Sequence, residues 1–193
     1  MMKNSIAIIP CKTDSKRVRY KNLQEIDGLT LLEISIKYAL SSSLIEKIYV
    51  STESQKVIDI ASKYNVELIP RIENLLGDAE VCDVYVDVIN NLIENKKINP
   101  NSYEYIVGIQ PDHPDRDNSL DDLLVYAFNN KYDDLFTVSK KYVRTGSVRI
   151  IRMEHIQNGF VSRRVGCYKD DATNIHSLED LKNAAIRIKS KNK

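Results

Sequence analysis

The chain has 193 residues, 28% of them charged, with a formal net charge of +1. That length suits one domain with a real core and leaves little room for two. The near-zero balance gives no global field to draw in nucleic acid or membrane, and no apolar stretch approaches bilayer length.

In chain order, residues 6–9 form a continuous apolar run, the pattern of a buried parallel strand, and Pro10 ends it because it cannot donate to a ladder. A dense basic loop comes next, with Lys12, Lys16, Arg17, Arg19 and Lys21 around Ser15. Residues 31–41 carry a loose helical stripe, and 47–51 read as a short strand. Residues 54–64 are again helical in spacing, with Asn65 suited to the C-terminal cap. Residues 66–69 read as a strand closed by Pro70, and 81–94 as a longer helix with Val81, Val84, Tyr85, Val88, Ile89 and Leu92 on one face. Residues 103–109 are the next strand, and Pro111 and Pro114 break the segment after it. A helix over 120–128 and a strand over 133–138 complete the regular part.

Beyond that the rhythm changes. Residues 147–152 look like a strand, 159–168 like a short irregular excursion, and 177–188 like a final helix with Ser177 as N-cap and Asp180 three residues on. Residues 189–193 read as a frayed tail. Strands alternating with helices predict an α/β chain, a single doubly wound domain over 1–193 with a mostly parallel sheet. No repeat or low-complexity linker interrupts it. Cys11, Cys82 and Cys167 are odd in number and widely spaced, which suggests neither a disulfide framework nor a zinc site. The N-terminal apolar run is too short for a signal peptide, so a cytoplasmic protein without membrane or nucleic-acid partners is expected.

Two stretches carry chemistry. Cations and backbone N–H groups after the first strand suit a polyanionic ligand, because α/β folds bind ligands outside the carboxyl ends of their strands. A solvated basic loop is the plainer reading of the same residues. The second stretch is Gln110-Pro111-Asp112-His113-Pro114-Asp115-Arg116, also at a strand end. Asp112 is a hard oxygen donor suited to magnesium, although proline-flanked aspartates are also ordinary turn residues.

The order of residues in the first loop resembles that of the sugar-acid cytidylyltransferases, the CMP-sialic acid and CMP-KDO synthetases. Pro10, Ser15, Lys16, Arg17, Lys21 and Asn22 stand in register with that family's nucleotide-binding loop. Lys12 replaces its arginine, keeping charge but losing the bidentate fork, and Thr13-Asp14 replaces its small pair. The second stretch looks like a hybrid of the sialic and KDO branches, with Asp112 where the KDO branch keeps a magnesium ligand. Arg71 and Asp78 match a segment whose arginine faces the pyrimidine. Cys82 stands in place of a hydroxyl there, and a buried helix thiol is an equally good account of it. Near the final helix, where the family carries aspartates for its magnesium, this chain has Asn174 and His176.

The resemblance implies a Rossmann-like nucleotidyltransferase fold and transfer of CMP from CTP to an anionic acceptor of the sialic or KDO type. Lys12, Lys21 and Asp112 are then the expected catalytic residues, and Cys11, Lys12, Ser15, Lys16, Lys21, Asn22, Arg71 and Cys82 the nucleotide-binding ones. Gln110 and Arg116 would meet the acceptor. Asp112, Asn174 and His176 would hold magnesium or manganese. Three accounts of the altered late positions stay open: Asp112 as the main carboxylate, a softer metal on the histidines, or weakened catalysis. Alternatives to the transferase reading are a nucleotide-binding regulator or partner subunit without catalysis, and a guanylyl- or uridylyltransferase. Relatives carry a long insertion after the strand at 135–138, part of a dimer interface and acceptor pocket. Only residues 139–144 remain here, so the acceptor lobe is reduced and the chain is expected as monomer or homodimer.

Overall fold

A computed structural model describes residues 2–15, 17–76, 79–158 and 162–191. Strand β1 (Ser5–Pro10) is buried along its whole length. After the basic loop, a single 3-10 turn at Lys21–Leu23 leads into a minimal hairpin, β2 (Glu25–Ile26) and β3 (Leu29–Thr30). Asp27 and Gly28 both take positive φ, 50° and 78°, the left-handed pair that a tight hairpin turn needs. Helix α1 (Leu31–Leu40) begins with a reciprocal capping box. The Thr30 hydroxyl accepts from Glu33 N at 3.2 Å, and the Glu33 carboxylate accepts from Thr30 N at 2.9 Å.

Strand β4 (Ile45–Thr52), helix α2 (Gln55–Ala61), strand β5 (Glu67–Pro70), helix α3 (Val81–Glu94) and strand β6 (Tyr105–Ile109) come next. Helix α2 stops three residues short of the expected end, and Ser62, not Asn65, caps it. Tyr64 lies beyond the helix and donates its hydroxyl to Glu33 at 3.0 Å. The remaining elements are α4 (Leu120–Asn129), β7 (Asp134–Val138), β8 (Arg144–Arg152), α5 (Met153–Asn158), β9 (Val165–Lys169) and α6 (Leu178–Lys191). Helix α5 and strand β9 were not anticipated, and α6 continues through Lys191 in the stretch expected to fray. The Ser177–Asp180 cap forms as read, with Asp180 N donating to the Ser177 hydroxyl at 3.1 Å.

The seven-stranded sheet has the order β5-β4-β1-β6-β8-β7-β9. Six strands run the same way, and β8 alone is antiparallel, to β6 on one side and β7 on the other. The β7–β8 turn is short, closed by Ser139 N donating to Val143 O at 2.8 Å, so the reduced lobe is a hairpin. Strand residues alternate between two cores. Ala7, Ile9, Val50 and Val107 pack with α1, α2 and α4 on one face, and Ile6, Ile8, Tyr49 and Ile106 with α3 on the other. On the α3 face Gly108 makes room for Tyr85, since a Cβ there would lie 2.1 Å from the Tyr85 ring. A third cluster, Ile26, Leu31, Ile175 and Ala184, fastens α6 to the small hairpin and the start of α1.

From β1 the chain winds outward to β4 and β5, then crosses back to place β6 on the other side of β1. The crevice between the carboxyl ends of β1 and β6 is therefore the topological switch point, where open α/β sheets bind ligands.

Candidate functional site

A cleft of about 270 Å³ opens at that switch point. Its basic wall is Lys12 and Arg17 from the loop after β1, Lys21 from the turn beyond it, and Arg71 from the end of β5. Gln110 and Asp112, from the segment after β6, close the opposite side. Leu75, Val81 and Val84 supply an apolar wall, the latter two from the first turn of α3. Four cations face two carboxylates, Asp14 and Asp112, so the cleft carries net positive charge. Ser15 and Asn22 also line it. Lys16 and Asp78, both singled out in the sequence, lie outside the described residues.

The loop is shaped by its own polar contacts. Thr13 donates its backbone N–H and its hydroxyl to Glu53 Oε1, at 3.1 and 3.3 Å, and Lys12 pairs with Asp14 at 3.6 Å. Asn22, expected on phosphate or ribose, is buried and donates its amide to Lys12 O at 3.1 Å. It holds the loop's exit to its entrance. Arg71 is only 8% exposed, and burial pulls its guanidinium below the usual arginine range. Its Nε has no hydrogen-bond partner among the described residues. A buried, incompletely satisfied cation in a cleft wall is costly without a ligand and cheap with one.

Asp112 is the centre of the polar network. Its Oδ2 accepts from Lys21 Nζ at 2.5 Å and its Oδ1 from His113 Nδ1 at 3.0 Å, across a sequence separation of 91 in the first case. Burial alone would raise this carboxyl, but the His113 and Lys21 contacts outweigh it and hold Asp112 well below the ordinary aspartate value of 3.8. Ile175 N donates to Asp112 O at 2.9 Å, laying the segment before α6 against the same turn. From that segment His176 Nδ1 meets Arg17 Nη1 at 2.5 Å. Arginine can only donate, so Nδ1 accepts and the ring is neutral with its proton on Nε2. Burial, then the nearby Arg17 and Lys21 charges, lower its pKa, in keeping with that state.

Asp112, Asn174 and His176 do not fit the magnesium site expected of them. Both Asp112 oxygens and the one lone pair of His176 are engaged, and the Asn174 oxygen, without a partner among the described residues, is buried outside the cleft lining. Among the described residues no three His, Cys, Asp or Glu side chains gather into an all-protein metal cage, so a magnesium ion here would depend on one or two carboxylates and the substrate phosphates.

Three further expectations are corrected. Cys11 is fully buried in the core, where desolvation pushes its thiol up to about 12, and its N–H is bonded to Ser51 O at 2.9 Å. Its side chain sits on the core-facing side of the strand end and does not line the cleft. Cys82 is turned away from the cleft and contacts Arg149 Nη1, while Val81 and Val84 take the cleft side of α3. Arg116, expected toward the acceptor, is turned into the fold. It donates to Ser147 Oγ at 3.0 Å, Ser147 O at 3.2 Å, Ser35 Oγ at 3.4 Å and Gln110 O, and its guanidinium lies 5.1 Å from the Tyr38 ring. It clamps the segment after β6 onto β8. Gln110 does line the cleft.

Sequence reasoning offered His113 only as a nitrogen ligand of a softer metal, and placed the valines only on the apolar face of their helix. His113 lies beside Asp112 in a proline-bracketed turn, and Val81 and Val84 stand three apart at a helix start. Those were the signals available.

A Rossmann-like α/β protein with a basic ligand cleft at its switch point is the class that this sheet order and lining define. More narrowly, the chain belongs to the cytidylyltransferase family, whose model matches residues 6–185. It is 28% identical over 137 residues to the N-acylneuraminate cytidylyltransferase of Escherichia coli, covering 70% of this chain and 31% of that one. It is 34% identical over 113 residues to the CMP-N,N'-diacetyllegionaminic acid synthase of Legionella pneumophila, covering 58% and 47%. The chain thus spans about a third to a half of the length of these curated relatives. Among solved structures, a CMP:2-keto-3-deoxy-manno-octonic acid synthetase complexed with CTP superposes with a TM-score of 0.75 at 12% identity, covering 97% of this chain and 99% of that one. A 4-diphosphocytidyl-2C-methyl-D-erythritol synthase from Anaerococcus prevotii gives 0.65 at 14% identity, covering 97% and 96%. At such identities the likeness speaks for the fold.

Proposed function

We propose that the cleft binds CTP and that the chain transfers its cytidylyl group to the hydroxyl of a sugar acid. The observation that carries the reading is the convergence of Lys12, Arg17, Lys21 and Arg71 on one switch-point cleft, with Arg71 Nε unpartnered among the described residues. The family match and relatives named for CMP-sugar-acid synthesis support CTP and a sugar acid as the two substrates.

In the reaction the acceptor oxygen attacks the α-phosphorus, forming the new P–O bond. The bond from that phosphorus to the oxygen bridging toward the β-phosphate breaks, pyrophosphate leaves with the electron pair, and the hydroxyl proton passes to water. Such transfers depend on positioning and on stabilising the charge that moves to the leaving group. Lys12, Lys21 and Arg17 provide donors for the β- and γ-phosphates, with Ser15 among them. Arg71, beside the apolar wall of Leu75, Val81 and Val84, suits the base and ribose, one face apolar and one polar. Asp112 accepts from Lys21 and His113, contacts that hold its carboxyl below the usual range and leave it a weak general base. Its part is to orient the Lys21 ammonium. The clamp made by Arg116 fixes the backbone at Gln110, which borders the acceptor side.

Pyrophosphate release from CTP, UTP, GTP and ATP, measured across N-acetylneuraminate, legionaminate, pseudaminate and 3-deoxy-manno-octulosonate, tests this reading. Release is expected with CTP and at least one acid. Binding of CTP without release for any acceptor would favour the second reading, a nucleotide-binding subunit. The engagement of Arg116 inside the fold, which leaves the acceptor side with little free charge, is the observation on its side.

A further inference from the structure

The disagreement between the donors present and a magnesium site points further. We infer that this cleft holds its nucleotide without a divalent cation bound to the protein, the Lys21 ammonium on Asp112 standing where such a cation would sit. The inference rests on the nucleotide reading of the cleft and adds to it a mode of charge neutralisation.

Magnesium demands oxygen donors at about 2.0–2.1 Å in octahedral array and sheds its water reluctantly. The cleft presents two carboxylates, each already paired with an ammonium: Asp14 with Lys12 at 3.6 Å, and Asp112, through Oδ2, with Lys21 at 2.5 Å. An ion on that oxygen would have to displace Lys21 or sit in contact with a like charge, which is unfavourable where the side chains of Lys21 and Asp112 are each only 15% exposed. The other oxygen is turned to His113, which is fully buried. At the third expected position His176 has its lone pair on Arg17.

The same contacts do what a metal would. Lys21 has three N–H donors, of which Asp112 uses one, leaving two for a ligand in the cleft that Lys21 lines. With Lys12 and Arg17 on the same walls, the protein itself supplies three cationic side chains to a polyphosphate. Charge-assisted hydrogen bonds from such groups replace metal–oxygen bonds with contacts that need no dehydration of a small hard ion.

The test is calorimetric titration of CTP into the native chain, in excess chelator and then in millimolar magnesium or manganese. Equal or weaker affinity with the metal is expected, because magnesium neutralises the free nucleotide that the cleft attracts. Binding seen only with a divalent ion, or tightened by it more than about tenfold, overturns the inference while leaving the cleft reading intact. An absence of binding in both arms fails the cleft reading itself. In chelator, Lys21→Met should bind CTP at least about tenfold more weakly and Lys21→Arg should keep most of the affinity, with folding of both checked by circular dichroism. Undiminished affinity of a folded Lys21→Met protein would also overturn the inference.

Discussion

Replacing Arg116 with alanine separates the structural reading of that residue from the acceptor role its sequence context suggests. The side chain donates to two backbone carbonyls, Gln110 O and Ser147 O, and to the hydroxyls of Ser147 and Ser35, both fully buried. Stranding a buried acceptor costs roughly 1–3 kcal/mol, and Gln110 O is the carbonyl at stake, since Ser147 O keeps the Gln110 N–H at 3.2 Å; the two lost hydroxyl contacts add roughly 0.5–1.5 kcal/mol each. The cation over Tyr38 contributes roughly 0.5–2 kcal/mol more. Allowing for water that enters the vacated space, a loss of about 3–5 kcal/mol is expected. For a chain of this size each kcal/mol moves the melting temperature by about 2–4 °C, so Arg116→Ala should melt on the order of 10 °C lower. Arg116→Lys keeps the charge without the fork and should recover little of it. Thermal melts give the stability term, and the acceptor KM, measured well below both melting points, gives the other. Under the clamp reading KM changes less than about twofold in the folded fraction. An unchanged melt with an acceptor KM raised tenfold or more would refute it.

Other expectations rest on the same contacts. Lys21→Ala should weaken CTP binding by at least about tenfold, whereas Lys189→Ala, which removes an exposed ion pair to Asp27, should leave it unchanged in the same titration. Asp112 has a lower pKa folded than unfolded, so the unfolded chain takes up its proton first as pH falls below the ordinary value of 3.8. Its stabilisation is therefore complete above that pH and is lost below it. Denaturant titrations should show a shallower acid limb for Asp112→Asn, and an identical limb would count against the pairing. Cys11 should resist iodoacetamide in the native chain at about pH 8 and react once unfolded, because only the thiolate attacks and burial suppresses it. Native labelling at Cys11 in a peptide map would contradict its place in the core.

Much of the fold was legible because its signals are local. The unbroken apolar run of β1 and the one-faced stripe of α3 leave few alternatives. The hairpin at Asp27-Gly28 was not anticipated: its dipeptide takes positive φ readily, but strands of two residues give no periodicity to support it. Strand β9 had no such local mark. It has a glycine at its second position and half-exposes Val165, and it is a strand because the edge of β7 pairs with it. Helix α5, six residues long, is too short for a helical stripe to register.

The site divides along the same line. Residue types and their placement at two strand ends located the cleft. What the sequence does not carry is direction. Arg116 and Cys82 stand where a ligand contact was expected, and both point elsewhere, one into Ser147 and Gln110, the other onto Arg149. The pairing of Lys21 with Asp112 joins residues 91 apart and depends on β1 and β6 lying side by side. It changes the chemistry of the aspartate from an open metal ligand to the anchor of an ammonium.

The measurement that bears most directly on the account is a crystal structure of the chain with CTP. The triphosphate should lie between Lys12 and Lys21, with the base toward Arg71 and the Val81–Val84 wall. Nucleotide bound elsewhere on the surface, or a cleft that stays empty at saturating CTP, would contradict it.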